Sequence, residues 1–430
     1  MPLPRLRLLQ VGDVHLPGAV KIKRAVDNKD GRFPLELRNI IADQPTKVVF
    51  KEIYRLMERG GISAALFMGD LTDIGDQAGY LASAKYIAQA LQLGTSGAFA
   101  GLPIGIVPGN HDINRTLAAE SDLTSKFGPL LQAMAQNGLP PLPVLKPIWM
   151  KAVNGAAVAN IALLNSCWGC GSKEFIPPEF REGVSKAIED ALAHPTDDPE
   201  AHERTVRAYY DRQFDTPAFS EDTIRELAIE GSETQRRGLL VACAHHNILP
   251  QRLTRLAPYT ELVNSGAFRS TLAEMGRPII YLHGHIHEDP IEILQVPGGD
   301  PVVSISAPAA TAGFNILDLV FTRSGIPLSC QVTGWRFNES GILRPRRPII
   351  VPLIGRKTRS TSGQLAQLYG ALLATHDLYW SDVVKLATTI YDTDVEANVE
   401  EALELLASDG SVSIENYRED RSSWIVGARI

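Results

Sequence analysis

Five pairs of side chains along the chain are of kinds that hold metal ions: Asp13 with His15, Asp70 with Asp73, Asn110 with His111, His245 with His246, and His285 with His287. In extended backbone, side chains two apart face the same way, so Asp13 with His15, and His285 with His287, can each converge on one point. The donors are carboxylate, amide oxygen and imidazole, without thiolate. That mixture suits two divalent transition metals, manganese first and iron or zinc as alternatives, better than calcium or a structural zinc. One ion does not need so many ligands. A carboxylate such as Asp70 can bridge two ions ~3.5–4 Å apart, a spacing that clamps a phosphoryl group and holds a hydroxide between them as nucleophile. A phosphoester rewards this, because charge on its equatorial oxygens is neutralised where it develops.

The elements that must position these residues repeat one pattern, an apolar run closing on Asp, Asn or His. Leu6 to Val11, Ala64 to Met68, Ile104 to Val107, Gly238 to Ala244 and Pro278 to Leu282 read as buried strands. Their carboxyl ends are where open α/β sheets place ligands. Between the first two strands, apolar residues at Val48, Val49, Ile53, Leu56 and Met57 have helical spacing, stopped by Gly60-Gly61. Strand, helix, strand is a crossover that builds parallel sheet. Further helices are expected over 78–93 and 262–275, and the sheet is expected to finish in antiparallel strands over 302–305, 314–321 and 327–332. Helical cap insertions are expected near 113–150 and 172–237.

At 430 residues the chain exceeds the usual growth of one core. The expected division is a large domain over 1–338, a basic, proline-containing linker over 339–362 and a small domain over 363–430. In the last, short helices precede a hairpin, a winged-helix-like order. Net charge of -7 gives no global attraction to nucleic acid, so such binding would have to come from the linker arginines and the C-terminal domain. The N-terminus lacks the pattern of a signal peptide, and no apolar stretch reaches the ~20 residues of a membrane span, so a cytoplasmic location without membrane contact is expected. Cys167-Trp168-Gly169-Cys170 has redox spacing, but no second cysteine pair completes a zinc site, and it reads as a loop with two reduced thiols.

Gly12-Asp13-Val14-His15, Gly69-Asp70-Leu71-Thr72-Asp73, Gly109-Asn110-His111-Asp112, His245-His246 and Gly284-His285-Ile286-His287 resemble the five ordered motifs of the calcineurin-like metallophosphoesterases. The resemblance spans roughly residues 5 to 335 and implies an α/β fold, a four-layer α-β-β-α sandwich of mixed sheets with a dinuclear centre at the strand ends. It implies that Asp13, His15 and His287 hold one metal, that Asn110, His245 and His285 hold the other, and that Asp70 bridges them. His111 would face the substrate, steady phosphate charge and protonate the leaving oxygen. Asp73 would accept a hydrogen bond from His111 and keep it cationic. Where the family usually has Pro after the paired histidines, Asn247 stands here; His245 is taken as the ligand of the pair.

Within such a fold the caps choose the phosphoester. An imidazole beside Asn110 favours a phosphodiesterase acting on cyclic or small nucleotide diesters, since a poor alkoxide leaving group benefits from an acid. The alternatives are a metal-dependent DNA nuclease, on the basic linker and C-terminal domain, and a regulatory or scaffold protein with a relic site. Singly the residues have bland readings: Asp73 or Asp112 could cap a following helix, His283 is structural, and Glu288 and Asp289 are rim acids.

Overall fold

The computed structural model describes residues 3–16, 31–118 without 36 and 38–43, 122–171, 216–232, 237–249, 262–295, 300–353 and 363–429, with isolated positions between 172 and 215. The first strand, β1 (Arg5–Val11), alternates its side chains between two cores. Leu6 and Leu8 enter one, while Leu9 and Val11 enter the other. It pairs in parallel with β2 (Ala64–Phe67), reached through α1 (Gln44–Glu58), and β2 pairs in parallel with β3 (Ile104–Ile106), reached through α2 (Gln77–Lys85). After a single helical turn over Arg115–Ala118 comes helix α3 (Gly128–Gln136).

The second sheet contains β4 (Ile148–Asn154), β5 (Ala157–Leu163), β6 (Leu239–Cys243), β7 (Ile279–His283), β8 (Ile291–Leu294) and β9 (Val302–Ser306), in the order β4-β5-β6-β7-β9-β8. Helix α4 (Glu221–Glu230) precedes β6, and α5 (Ser265–Glu274) connects β6 to β7. The chain then returns to the first sheet through β10 (Gly313–Phe321), β11 (Pro327–Phe337), β12 (Leu343–Pro345) and β13 (Ile349–Pro352). That sheet runs β12-β11-β10-β1-β2-β3, with β13 on β11; β10 is antiparallel to both β1 and β11.

The two sheets face each other across Leu6, Leu66, Leu317, Ile161, Val241 and Ile280, all fully buried. Outside the first sheet lie α1, α2 and α3; outside the second lie α4 and α5, through Leu227, Phe268 and Leu272. These are the four layers of an α-β-β-α sandwich, and their mixed sheets are those expected.

Two expectations change. Helix α3 belongs to the outer layer of the first sheet and is not a cap over the strand ends, because Leu130, Ala133 and Met134 form a stripe that is buried in that layer's core. Part of the expected linker is sheet: β12 and β13 pair with β11, and Val351 and Leu353 enter the inter-sheet core. Residues 354–362 and most of the 172–215 insertion lie outside the described residues.

The C-terminal elements are α6 (Gly363–Leu373), β14 (Leu378–Tyr379), α7 (Trp380–Ala387), α8 (Val395–Ser408), β15 (Val412–Glu415) and β16 (Ile425–Ala428). They enclose a core of their own around Leu368, Val383, Leu403 and Val426. Helix α8 closes the outer face of β11, where the outward residues are polar. Buried Glu404 accepts from Ser329 and Tyr417, and from Gln331 Nε2 at 3.1 Å. Buried Glu400 pairs with Arg323 at 3.1 Å and Arg421 at 3.0 Å.

Candidate metal centre

Five loops meet at the carboxyl ends of β1, β2, β3, β6 and β7. The β1 and β2 loops are laced by main-chain bonds, the N–H groups of Val14 and His15 both donating to the Asp70 carbonyl at 2.9 Å. The carboxylates tie in the others: His111 N–H donates to Asp70 Oδ1 at 2.9 Å, and His285 N–H to Asp13 Oδ1 at 3.0 Å. So close a meeting needs glycine between strand and ligand. A Cβ on Gly69, which has φ +89°, would stand 2.7 Å from Gly109 N and 2.8 Å from His245 Nδ1.

Two groups of donors result. Asp13, His15, Asp70 and His287 each place one ligand atom within 4.8 Å of the others. His287 Nε2 is 3.6 Å from Asp13 Oδ1, and His15 Nε2 is 3.8 Å from Asp70 Oδ2. His245, His246 and His285 form the second group, also within 4.8 Å. Asn110 joins it, its Oδ1 3.0 Å from His245 Nε2, and the same nitrogen is 3.2 Å from Asp70 Oδ2. Asp70 therefore stands between the groups. Of the two adjacent histidines, His245 is the one beside both Asn110 and Asp70. Its Nδ1–H donates to the Met68 carbonyl at 2.7 Å, which turns Nε2 toward the carboxylates.

Backbone strain concentrates at the same residues. Among the described residues, seven that are not glycine have positive φ, and four of them are His15 (47°), Asp70 (49°), His285 (66°) and His287 (55°). Such conformations cost about 1–3 kcal/mol each and persist where surrounding structure holds them for a purpose.

The electrostatics fit a cation. Asp13 and Asp70 are buried, which by itself would favour their neutral forms, yet both pKa values are lowered, Asp13 by His287 and His245 and Asp70 chiefly by His245 and His111. His245 answers in kind: burial disfavours its charge, but Asp70 and Asp13 outweigh that and lift it to about 10. A proton on His245 is thus the protein's own substitute for positive charge among these acids. Oxygen and imidazole donors around two buried carboxylates are what two borderline divalent ions require.

A family profile for calcineurin-like phosphoesterases matches residues 6–289. The chain belongs to this family. It is therefore a metal-dependent phosphoric ester hydrolase by family; the family uses a dinuclear divalent centre, for which the residues above are the candidate ligands. No curated protein matches it. Solved structures similar to this phosphoesterase include a dimetal phosphatase from Danio rerio, 11% identical with TM-score 0.46, covering 82% of this chain and 100% of that one. NAD nucleotidase from Haemophilus influenzae is 12% identical with TM-score 0.39, covering 91% of this chain and 60% of that one. A purple acid phosphatase from yellow lupin, Lupinus luteus, is 13% identical with TM-score 0.42, covering 80% and 54%.

The phosphoesterase corrects one expectation about charge. His111 Nδ1 meets the main-chain carbonyl of Asp73 at 2.7 Å, so it is the backbone of residue 73 that orients the imidazole. Nor is the ring kept cationic: burial lowers its pKa to about 4, although Asp70 pulls the other way. The Asp73 carboxylate stays within reach of His15 and His111 as a third, more open group. Sequence reading also missed the work of Asp112. Its Oδ2 accepts from Gly109 N and its Oδ1 from Thr72 N, each at 2.9 Å, which locks the β2 and β3 loops together. Buried between those loops and repelled by Asp70, it has a pKa raised to about 7. Arg115, also buried, donates to the Asn110 carbonyl at 2.8 Å and fixes that turn from below. The signal for both was their place just after Asn110-His111.

His283 is buried with its pKa lowered to about 4 by burial, in line with a structural role, and Asp289 pairs with Arg336 at 2.9 Å on the rim. No helix among the described residues is long and apolar enough to cross a membrane.

Proposed function

We propose that this phosphoesterase is a phosphodiesterase of cyclic or small nucleotide diesters. Asp13, His15 and His287 hold one metal, Asn110, His245 and His285 hold the other, and Asp70 serves both; manganese suits the donor set best, with iron or zinc as alternatives. Two such cations supply Lewis acidity toward phosphoryl oxygens and an activated water. The chain's own residues do the rest. Asp70, through its Oδ1 bond to His111 N–H, sets the imidazole beside the donors. The Asp73 carbonyl takes Nδ1–H, which makes Nε2 the nitrogen that meets the substrate. His15, whose ring lies edge-on to His111 at 4.7 Å, and the half-exposed His287 line the mouth with further imidazole. A bound phosphate anion raises the pKa of His111, and the imidazolium then gives its Nε2 proton to the departing alkoxide.

The observation that carries the diester reading is this oriented His111, because the leaving oxygen of a diester is a poor one that gains most from an acid. The nuclease reading loses support from the C-terminal unit. Residues 363–430 carry twelve acids against four Lys and Arg, and α8 is occupied by β11. A relic site is disfavoured by seven ligand-type residues coming together with strained backbone at four of them.

The test is a substrate panel with manganese: a chromogenic monoester, a small chromogenic diester, cyclic nucleotides and duplex DNA. Small or cyclic diesters should give the highest kcat/KM. A monoester leading by tenfold or more would replace the diester reading with a phosphatase, and activity confined to DNA would replace it with a nuclease.

A further inference from the structure

The loop Cys167-Trp168-Gly169-Cys170 follows β5 and sits against the outer side of the metal centre. Both thiols are fully buried, and the fold brings a third donor to them that is distant in sequence, His246 from the end of β6. One ligand atom from each of Cys167, Cys170 and His246 lies within 4.8 Å of the others, and His246 Nδ1 is 3.9 Å from Cys167 Sγ. Tetrahedral zinc with Zn–S of ~2.3 Å and Zn–N of ~2.0–2.1 Å needs donor separations only slightly shorter than that.

The lone pair is already turned the right way. Ser166 Oγ accepts from His245 N–H at 3.2 Å and His246 N–H at 3.1 Å, so its own proton goes to His246 Nδ1, 2.9 Å away. Nδ1 is therefore the unprotonated nitrogen, facing Ser166 and Cys167. The loop is also preset. Cys170 N–H donates to the Cys167 carbonyl at 3.0 Å, Cys167 N–H to Asn165 Oδ1 at 2.9 Å, and the buried Lys126 ammonium to the Trp168 and Cys170 carbonyls. Burial, reinforced by Cys170, Asp70 and Asp112, holds the Cys167 thiol in its protonated form, donating to the Pro108 carbonyl at 3.3 Å, so an incoming metal must displace that proton.

We propose that Cys167, Cys170 and His246 Nδ1 form a separate, buried three-donor site for a thiophilic divalent cation, zinc, behind the phosphoesterase centre. On binding, each thiol releases its proton to solvent and each sulfur forms one bond to the metal; Ser166 gives up its bond to Nδ1. Two thiolates cancel the charge of the ion, so it adds no net charge beside the catalytic donors. Three protein donors leave the fourth tetrahedral position to a small ligand such as water, and full burial of all three keeps substrate from it, so the role is structural rather than catalytic. The site ties the β5 loop to the β6 loop that carries His245.

The probe is cobalt(II) substituted into the full-length protein, read by absorption and by X-ray absorption at the metal edge. Thiolate coordination gives a sulfur-to-cobalt charge-transfer band in the near ultraviolet and sulfur scatterers at about 2.3 Å in the zinc form. The oxygen and imidazole donors of the catalytic centre give neither. The wild type should show both, with roughly one metal equivalent beyond those needed for hydrolysis. Cys170→Ser should lose the band and that equivalent while keeping phosphoesterase activity within a few-fold; Cys330→Ser, a buried thiol elsewhere, should keep the band. A wild-type protein that binds cobalt and hydrolyses diesters without sulfur coordination overturns this site and leaves the proposed function standing. A sulfur band without hydrolysis does the reverse. A band that persists in Cys170→Ser also rejects the assignment.

Discussion

His111 and Asp73 separate side-chain chemistry from main-chain positioning. Replacing His111 with Ala removes the proton donor and should lower kcat by ~10²–10⁴ with metal content retained. Asp73→Ala keeps the carbonyl that receives His111 Nδ1–H, so kcat should stay within a few-fold. Equal losses in the two variants would return the leading role to the Asp73 carboxylate. Asp70 differs from both, because it faces the two donor groups at once; Asp70→Ala should abolish metal uptake, read by elemental analysis. The charge on His245 gives a pH signature. Its folded pKa, about 10, lies above the ordinary 6.5, so in the metal-free protein its contribution to stability is full below about pH 6.5 and is lost as pH rises through about 10. A metal must displace that proton, so affinity should rise with pH up to that range. Calorimetry of manganese binding in buffers of different ionisation enthalpy should find at least one proton released per protein at neutral pH, that of His245, with a further contribution from His287, whose pKa Asp13 also raises; no release would contradict the protonated pair.

At the scale of elements, the strands end where they do because glycine lets their loops touch. Gly109 packs its Cα side directly on the Asp70 backbone and Oδ1, where no Cβ fits. Gly109→Ala should push the β2 and β3 loops apart, costing about 1–3 kcal/mol of stability and most of the metal affinity. Thermal unfolding with and without manganese would check this: if the substitution leaves the metal-induced rise in Tm unchanged, the close approach is not what shapes the site. The same loops show why Asp112 escaped sequence reading. An Asp after Asn-His looks like a helix cap, and only the meeting of two loops reveals that its two oxygens serve different strands.

Across the whole molecule, the C-terminal unit completes the outer layer where the polar face of β11 would otherwise meet water. Glu404 is the centre of that junction, accepting from Ser329, Gln331 and Tyr417. Glu404→Ala strands two buried hydroxyl donors, Ser329 and Tyr417, while Gln331 keeps the Tyr417 oxygen, and should lower stability by about 2–3 kcal/mol, read by denaturant unfolding, while kcat on a small diester stays near wild type because the metal loops lie at the other end of β1. A stable variant with impaired turnover would instead connect this junction to catalysis.

By itself the sequence determined the chemistry and its order: oxygen and imidazole donors at the ends of apolar strands, in five motifs whose types and spacing survive folding unchanged, and with them the layered α/β class. Periodicity also located most helices and strands, since burial of one face or both is written locally. Several things depended on partners far along the chain and so were decided only by the tertiary structure. The helix at 128–136 covers a sheet face instead of capping the strand ends, because its apolar stripe finds its complement there. Residues 343–345 and 349–352 became sheet because β11 offered an edge for them to pair with. His111 rests on a carbonyl and not a carboxylate, since loop geometry brings the main chain of Asp73 closer to Nδ1. His246 meets two cysteines about eighty positions away because β5 and β6 are neighbours in the second sheet. Side-chain type is local information, and distance between side chains is not.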